Sequence, residues 1–334
     1  MHMTFAIKVR YDILSNIPTY QYVCSALDLQ TTTPETVITE YKGKHVPGKT
    51  DLDVLIFDIT RQKTDYLPRG LSSKYINMNV LYVMESGLKS VTRDDFSAMP
   101  KLREIALFGN KLESIPNNCF NDLILLERLS LRRNKIKTLS SKIFRALPNL
   151  KAVYLSQNLI TAIPSNLFVN NLKLENIGFQ DNSLEFIGGN ILKDLRKLKE
   201  VNFINNICIN NKHPKTSINN LVKIIKQKCN ILPVNSCASI SKEINRLQIL
   251  SNRLSAQQKK YDDKKNALKH KCGHFDTQFL SSKSDLQTTE DFDDLEDKYT
   301  NLQESFESLA ASKNCVYNTT NGPSHIELVF KHES

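Results

Sequence analysis

The sequence predicts an α/β chain in which a solenoid of 24-residue repeats is followed by an α-helical coiled-coil hairpin. In the middle of the chain, asparagines recur at one unbroken spacing of 24 residues, in step with a column of phenylalanines. After Pro233, glycine and proline nearly vanish and apolar residues recur at heptad spacing. The predicted regions are an amino-terminal cap (1–51), a solenoid (52–206), a carboxy-terminal cap (207–233), a helical hairpin (234–316) and a disordered tail (317–334).

The composition restricts the class of protein. Of 334 residues, 40% are hydrophobic and 24% are charged, which excludes whole-chain disorder, collagen and a disulfide-dense miniprotein. No apolar run approaches the roughly 18 residues needed to cross a bilayer, so we expect no membrane span. The net charge of +10 weakly favours acidic partners. We expect no nucleic-acid partner, because the charge is spread through both halves of the chain and no nucleic-acid module is recognisable.

Each repeat unit combines a short strand, a turn and an apolar return segment. In residues 102–107, for example, alternate apolar residues point inward. The asparagine of each unit lies where the backbone turns inward, so its side chain can satisfy orphaned backbone groups of adjacent coils. Two degenerate units upstream keep the frame with Ser86 and Gln62 in the asparagine position, as expected at the end of a solenoid. The asparagine column is Asn110, Asn134, Asn158, Asn182 and Asn206.

The repeated pattern L-x-x-L-x-L-x-x-N-x-L-x-x-I-P-x-x-x-F resembles the typical 24-residue leucine-rich repeat, over about residues 52–206. The resemblance implies a solenoid that binds a protein ligand on its concave strand face. Aromatic and arginine side chains are enriched at interface hot spots, and Phe108 is the strongest candidate because an exposed phenylalanine in a polar column has no folding reason. A solvated face with a few spare aromatics is the alternative. The candidate ligand-binding residues are Tyr82, Met84, Arg103, Phe108, Arg128, Arg132 and Tyr154.

Cys24 precedes the predicted solenoid, Cys119 lies within it, and Cys208 and Cys229 follow it. Cys208 and Cys229 enclose a segment with apolar residues at helical spacing, which resembles the carboxy-terminal cap of extracellular leucine-rich repeat proteins. The resemblance implies a disulfide between them, which would contribute about 3 kcal/mol; two free buried thiols are the alternative. Cys24 lies in an expected amino-terminal cap hairpin. Neither its partner nor one for Cys119 is visible in the sequence.

The carboxy-terminal region predicts two helices of roughly 30 residues that fold back on each other. Antiparallel packing would place Cys237 beside Cys315, where a disulfide would join the two helices. Cys272 would lie alone at the tip, which in a secreted protein indicates an intermolecular disulfide; an unpaired thiol without a role is the alternative. The polar seam of the first helix favours a homodimer or heterodimer through another coiled coil. The seams are Ile240, Leu247, Leu254, Tyr261, Leu268 and Phe292, Leu295, Tyr299, Leu302, Phe306, Leu309.

A short leucine-rich repeat solenoid followed by a cysteine-flanked heptad region resembles the insect leucine-rich immune proteins of mosquito blood. The resemblance implies a secreted recognition protein that pairs through its coiled coil and holds a complement-like thioester protein or a pathogen surface. In an extracellular chain, Asn318 of the sole N-x-S/T sequon would be a glycosylation site. The first residues lack the apolar core of a secretory signal. An intracellular repeat scaffold with reduced cysteines is therefore the alternative.

Catalytic and metal-binding motifs find little support in the sequence. The seven histidines are scattered outside the regular repeats, and the pair Cys272 and His274 lacks the further ligands of a zinc site. No G-x-S-x-G elbow occurs in the sequence. We therefore expect no enzymatic activity, no cofactor and no metal.

Overall fold

The structure is a computed structural model that describes residues 4–14, 21–34, 36–214 and 218–229, together with Lys259 and two short strands at 316–318 and 327–329. The chain divides into two compact units, Met1–Cys229 and Asn230–Ser334.

Short strands dominate the first unit, with few helical segments. The strands are β1 (Thr4–Leu14), β2 (Gln21–Ala26), β3 (Gln30–Thr31), β4 (Val37–Lys42), β5 (Ile56–Asp58), β6 (Lys63–Thr64), β7 (Val80–Tyr82), β8 (Glu104–Ala106), β9 (Arg128–Ser130), β10 (Ala152–Tyr154), β11 (Ala162–Ile163), β12 (Asn176–Gly178), β13 (Phe186–Ile187), β14 (Glu200–Asn202) and β15 (Lys212–Pro214). The helices are α1 (Leu71–Lys74) and α2 (Ile218–Ile224), with 3₁₀ turns at Asp51–Asp53 and Arg93–Asp95 and a π-helical turn at Ile225–Cys229.

One continuous sheet runs through this unit in the order β15-β14-β12-β10-β9-β8-β7-β5-β2-β1-β4. From β2 to β14 the neighbours are parallel, and the register advances by one repeat: Leu81 lies opposite Ile105, and Ile105 lies opposite Leu129. Successive parallel strands joined by short return segments are the architecture of a repeat solenoid. The predicted solenoid of 24-residue coils is thereby confirmed.

Asparagine side chains tie consecutive coils together. The Nδ2 atom of Asn158 donates hydrogen bonds to the carbonyl oxygens of Leu131 and Leu155, at 2.9 and 3.0 Å. Its Oδ1 atom accepts a bond from the backbone N–H of Ile136 at 3.1 Å. Each amide thus satisfies backbone groups that would otherwise be buried without partners. Bonds that reach back to the preceding coil in the same way are made by Asn110, Asn134, Asn182 and Asn206.

The core is a stack of apolar layers, one from each coil. Its strand residues are fully buried, as Leu81, Ile105 and Leu129 illustrate at 0% exposure. Phenylalanine rings from neighbouring coils lie in contact, with centroids 5.6 Å apart for Phe96 and Phe120 and 5.8 Å apart for Phe144 and Phe168. Because each coil buries its apolar side only against its neighbours, the stack is continuous and its stability is shared between adjacent coils.

The parallel sheet of the solenoid extends into the region predicted as an amino-terminal cap. Strand β2, inside the region predicted as a cap, pairs in parallel with β5 and places Cys24 opposite Phe57. Gln62 fills the asparagine position of the next coil and accepts a hydrogen bond from the backbone N–H of Leu29, 33 residues upstream. This separation of 33 residues differs from the repeat period of 24, so the period does not predict the contact. The terminal strand is β1, which pairs antiparallel with β2 and parallel with β4.

The cysteines of the first unit have different surroundings. Cys208 and Cys229 form a disulfide with a Cα–Cα distance of 5.1 Å, and Leu221 and Ile225 of the same segment are buried. Cys24 and Cys119 are free and buried. The Cys24 sulfur lies 3.2 Å from the Tyr75 hydroxyl. These two thiols are therefore core residues of the solenoid.

The second unit is described only in part. The predicted coiled coil lies outside the described residues apart from Lys259 and Val316, and so do Cys237, Cys272 and Cys315. In the stretch predicted as a disordered tail, the structure describes strand β16 (Val316–Asn318) paired antiparallel with β17 (Glu327–Val329). The sequon residue Asn318 is thus part of a strand.

We predict that Asn158→Ala lowers the free energy of unfolding by about 2–4 kcal/mol, because it removes two donated bonds and leaves the Ile136 N–H unsatisfied. Urea denaturation measures the change. Asn170→Ala is the matched control, since its exposed amide donates one bond, to the Arg145 carbonyl at 3.0 Å. The control is expected to lose less than about 1 kcal/mol. Equal midpoints for the two variants would contradict the role of the asparagine column.

We also predict that Cys24 resists alkylation in the native protein at pH 8. Burial raises the pKa of its thiol to about 12, so the thiolate, which is the reactive form, is scarce. Peptide mass mapping after iodoacetamide treatment with and without urea measures the modification. Labelling of Cys24 in the folded protein at the rate found in urea would show that this end of the solenoid is open.

Candidate ligand-binding face

The outward residues of β7, β8, β9, β10, β12 and β14 form one face, called here the strand face. Its central column is Tyr82, Ala106, Ser130, Tyr154, Gly178 and Asn202, one residue from each coil. Tyr82 and Tyr154 are half-buried and large, whereas Ala106 and Ser130 between them are small. The two tyrosines therefore bound a trough with Ala106 and Ser130 on its floor.

Phe108 lies beside this trough in the next column and is partly exposed. The guanidinium of Arg133 lies 5.1 Å from the centre of its ring, which is a cation–π contact. Arg133 also reaches Glu85, two coils away, at 3.9 Å. Gly109 occupies the coil between them with φ of +70°, and a Cβ atom there would lie 3.0 Å from the Glu85 side chain. The missing side chain leaves room for this contact across two coils.

The column of Phe108 continues with Arg132, Ser156 and Gln180, and Met84 precedes it. Among the described residues, the Arg132 Nε, Ser156 Oγ and Gln180 Oε1 atoms are buried and have no hydrogen-bond partner. A buried polar group without a partner costs about 1–3 kcal/mol. Three such atoms in consecutive coils give this column unused hydrogen-bonding capacity.

Charges on the other side of the trough are paired. Arg128 lies 3.7 Å from Glu104, and the Tyr82 hydroxyl donates a hydrogen bond to the same carboxylate at 3.2 Å. Burial, followed by the nearby charge of Glu104, raises the pKa of Tyr82 to about 12. Tyr82 therefore remains a neutral donor at physiological pH.

Arg103 lies at the edge of the sheet, one residue before strand β8, and not on the strand face. It donates a hydrogen bond to Glu127 at 2.7 Å, and Lys151 donates to the same carboxylate at 2.5 Å. These bonds, led by the one from Lys151, lower the pKa of Glu127. The row continues with Glu175 and Lys199, which are 2.5 Å apart. We call this alternating row Arg103, Glu127, Lys151, Glu175 and Lys199 the charge ladder.

The carboxylates of this region are what the sequence analysis missed. The residues predicted for this face include three arginines and no carboxylate, whereas Glu85, Glu104 and Glu127 pair with Arg133, Arg128 and Arg103. The signal was present, because the column one residue before each strand alternates in sign at the repeat period. The structure thus leaves an aromatic trough with little net charge, beside which Arg132 has no carboxylate partner among the described residues.

A separate polar network lies near the amino-terminal end. His45 contacts Asp51 at 3.1 Å and the Tyr22 hydroxyl at 3.0 Å, and Lys74 contacts Asp51 at 2.7 Å. Each side chain bonds to another side chain of the network, which ties β2 to α1. The described residues contain no cluster of three or more side chains that could hold a metal ion, and none of their helices is long and apolar enough to cross a bilayer.

The fold and its columns define a leucine-rich repeat solenoid with about six turns, an architecture used for protein interaction. Six copies of the family described as BspA type leucine-rich repeat region match residues 89–213. Among solved structures, the crystal structure of the APL1 leucine-rich repeat domain is similar, with 18% sequence identity and a TM-score of 0.42 over 60% of this chain. This match spans about half, 48%, of the APL1 chain. No curated protein matches the chain.

We predict that Ser156→Ala leaves the free energy of unfolding unchanged or raises it by up to about 1 kcal/mol, because the lost hydroxyl makes no hydrogen bond. Ser86→Ala is the matched control. The Ser86 hydroxyl is also buried, but it accepts a bond from the Gln62 N–H at 3.0 Å and donates to the Ile59 carbonyl, with the Met84 carbonyl 2.9 Å away. The control is expected to lose about 1–3 kcal/mol in urea denaturation. A similar loss in Ser156→Ala would show that its hydroxyl is satisfied in solution.

Proposed function

We propose that this chain is a secreted recognition protein that binds a protein or pathogen-surface ligand on its strand face and assembles through its carboxy-terminal region. The observation that carries the proposal is the aromatic trough, in which Tyr82, Phe108 and Tyr154 surround a floor of small side chains. Tyr82 packs against a small buried cluster of Val23, Ile56 and Val80, whereas Phe108 and Tyr154 belong to neither this cluster nor the main core. Folding alone therefore does not account for Phe108 and Tyr154. Tyrosine is also among the residue types enriched where interface energy concentrates.

The chemistry of the trough restricts its ligand. Because Arg128 and Arg133 already contact carboxylates, the face offers shape and aromatic contact more than net charge. Arg132 is different, since it is in no ion pair among the described residues; its Nε is buried, so a ligand would contact the remainder of this partly exposed side chain. A ligand that places an apolar group between the tyrosines and a carboxylate or carbonyl oxygen near Arg132 would use both features. A protruding loop of a protein has this chemistry.

Two observations support the extracellular part of the proposal. The Cys208–Cys229 disulfide closes the end of the solenoid, and such bonds persist mainly in oxidising compartments. The free Cys24 and Cys119 are buried, which protects them from exchange there. The combination of repeats and a cysteine-flanked heptad region resembles insect leucine-rich immune proteins, which supports a role in innate immunity.

Ligand binding is tested with the triple variant Tyr82→Ala/Phe108→Ala/Tyr154→Ala of the full chain. The control is Val169→Ala, which shortens a 64% exposed side chain on a return segment. Immobilised proteins are incubated with extracellular fluid of the source organism, and retained proteins are quantified by mass spectrometry. We expect a partner of the wild type and the control to be reduced about tenfold or more on the triple variant. Equal retention by all three proteins would contradict binding at the trough.

Compartment and assembly are tested by electrophoresis of native material with and without reductant. We expect a faster band, a covalent dimer or both without reductant, and a linked Cys208–Cys229 peptide in the mass map. Identical mobility under both conditions, with all cysteines alkylated directly, would favour the alternative of an intracellular repeat scaffold.

A further inference from the structure

An exposed apolar row runs along the edge of the solenoid, where each return segment turns into the next strand. It has one residue per coil, and we call it the apolar stripe: Leu52, Ile76, Pro100, Ile124, Pro148 and Leu172. The four aliphatic members are between 50% and 57% exposed, and the two prolines are also exposed. Single exposed apolar residues are ordinary on protein surfaces, whereas contiguous apolar patches mark interaction sites. Arg196 takes the next position and ends the stripe.

Hydrogen bonds between coils keep the stripe continuous. The Asn77 side chain donates to the carbonyl oxygen of Leu52 at 2.9 Å, and Asn149 donates to that of Ile124 at 2.8 Å. Lys101 in turn donates to Asn77 at 2.9 Å. Each bond joins a residue beside the stripe to the preceding coil at the repeat spacing. These bonds hold neighbouring members of the stripe at the repeat spacing of the coils.

The margin of the stripe is cationic. Among the described residues, Lys101 and Lys173 on the strand side and Arg145 on the other side have no carboxylate partner; Lys101 and Lys173 donate hydrogen bonds to Asn77 and Asn149. The nearby carboxylates are neutralised, because Asp53 lies 3.0 Å from Lys49 and Asp122 lies 2.8 Å from Arg93. A partner that covers the stripe would gain from acidic residues at its margins.

The spacing of the stripe selects the secondary structure of its occupant. Neighbouring coils of the sheet are about 4.8 Å apart. An α-helix with apolar residues three and four positions apart presents one of them about every 5.2 Å along its axis. A β-strand presents the same face only about every 6.7 Å. The spacing of apolar residues along a helix that lies parallel to the solenoid axis is thus close to the spacing of the coils. The spacing along a strand is not.

We propose that the apolar stripe docks an amphipathic α-helix of a partner protein, with its apolar seam on the stripe and acidic residues against the flanking lysines. A row one residue wide falls short of the roughly 800 Å² that each subunit buries in a stable dimer, so it fits a single helix better than a second copy of this chain. This surface lies on the sheet edge and is separate from the trough. The proposal for the apolar stripe is therefore tested independently of ligand binding at the trough.

The test uses the full chain and a fluorescent stapled helical peptide of about three heptads, with leucine at positions a and d. Glutamate at e and g complements the lysines and keeps the peptide monomeric by repulsion. A second peptide carries lysine at e and g. Fluorescence anisotropy gives the affinity of each peptide for the wild type, for Ile124→Asp and for Leu159→Asp. Leu159 is the matched control, because it is 47% exposed and follows the asparagine column at the other end of the strand.

We expect saturable binding of the acidic peptide, weakened about tenfold or more by Ile124→Asp and changed less than about twofold by Leu159→Asp. The lysine peptide should bind the wild type about tenfold more weakly. Both variants replace exposed side chains, so their thermal melts should match that of the wild type. Failure of the acidic peptide to bind, or equal effects of the two variants, would overturn the proposal. It would also be overturned if Ile124→Asp alone converted a dimer to a monomer, which would assign the stripe to a second copy.

Discussion

The hydrogen bonds between consecutive coils fix a common register, and every other feature of this solenoid depends on that register. Each asparagine amide holds the turn of its own coil to the coil before it, as the bonds of Asn158 to Leu131 and Ile136 illustrate. Because coils of equal length are superimposed, residues 24 positions apart become neighbours in space. The backbone thereby converts a period in the sequence into straight rows of side chains.

The inward rows of side chains form the core, and the outward rows form the surface features described above. The inward rows are apolar and packed, so their chemistry is fixed by burial. The outward rows are free to vary, and here they hold an aromatic trough on the strand face, a charge ladder at the strand entry and an apolar stripe beside it. The same edge of the sheet therefore carries the charge ladder, whose charges pair with one another, and the apolar stripe, whose side chains remain exposed. The unsatisfied rows are the surfaces on which recognition can act.

The sequence predicted the inward rows well and the outward rows incompletely. The asparagine column and the phenylalanine stack follow from the period, because burial leaves few residue types that fit. The pairing of the cap strand β2 with β5 was not predicted, because the distance from Leu29 to Gln62 is 33 residues and breaks the period. The pairing of Arg103 with Glu127 was missed because columns were read for residue type and not for sign. The Ser156 hydroxyl has no hydrogen-bond partner because of the rotamers of the side chains around it, and the spacing of residues in the sequence does not predict rotamers.

The charge ladder has a consequence for how this array can change in length. Its signs alternate from one coil to the next, with Arg103 beside Glu127 and Lys199 beside Glu175. Duplication or loss of a single internal coil would bring two like charges face to face, which is unfavourable. Duplication or loss of two adjacent coils would preserve the alternation. Between Arg103 and Lys199, internal coils can therefore be gained or lost without bringing like charges together only in even numbers.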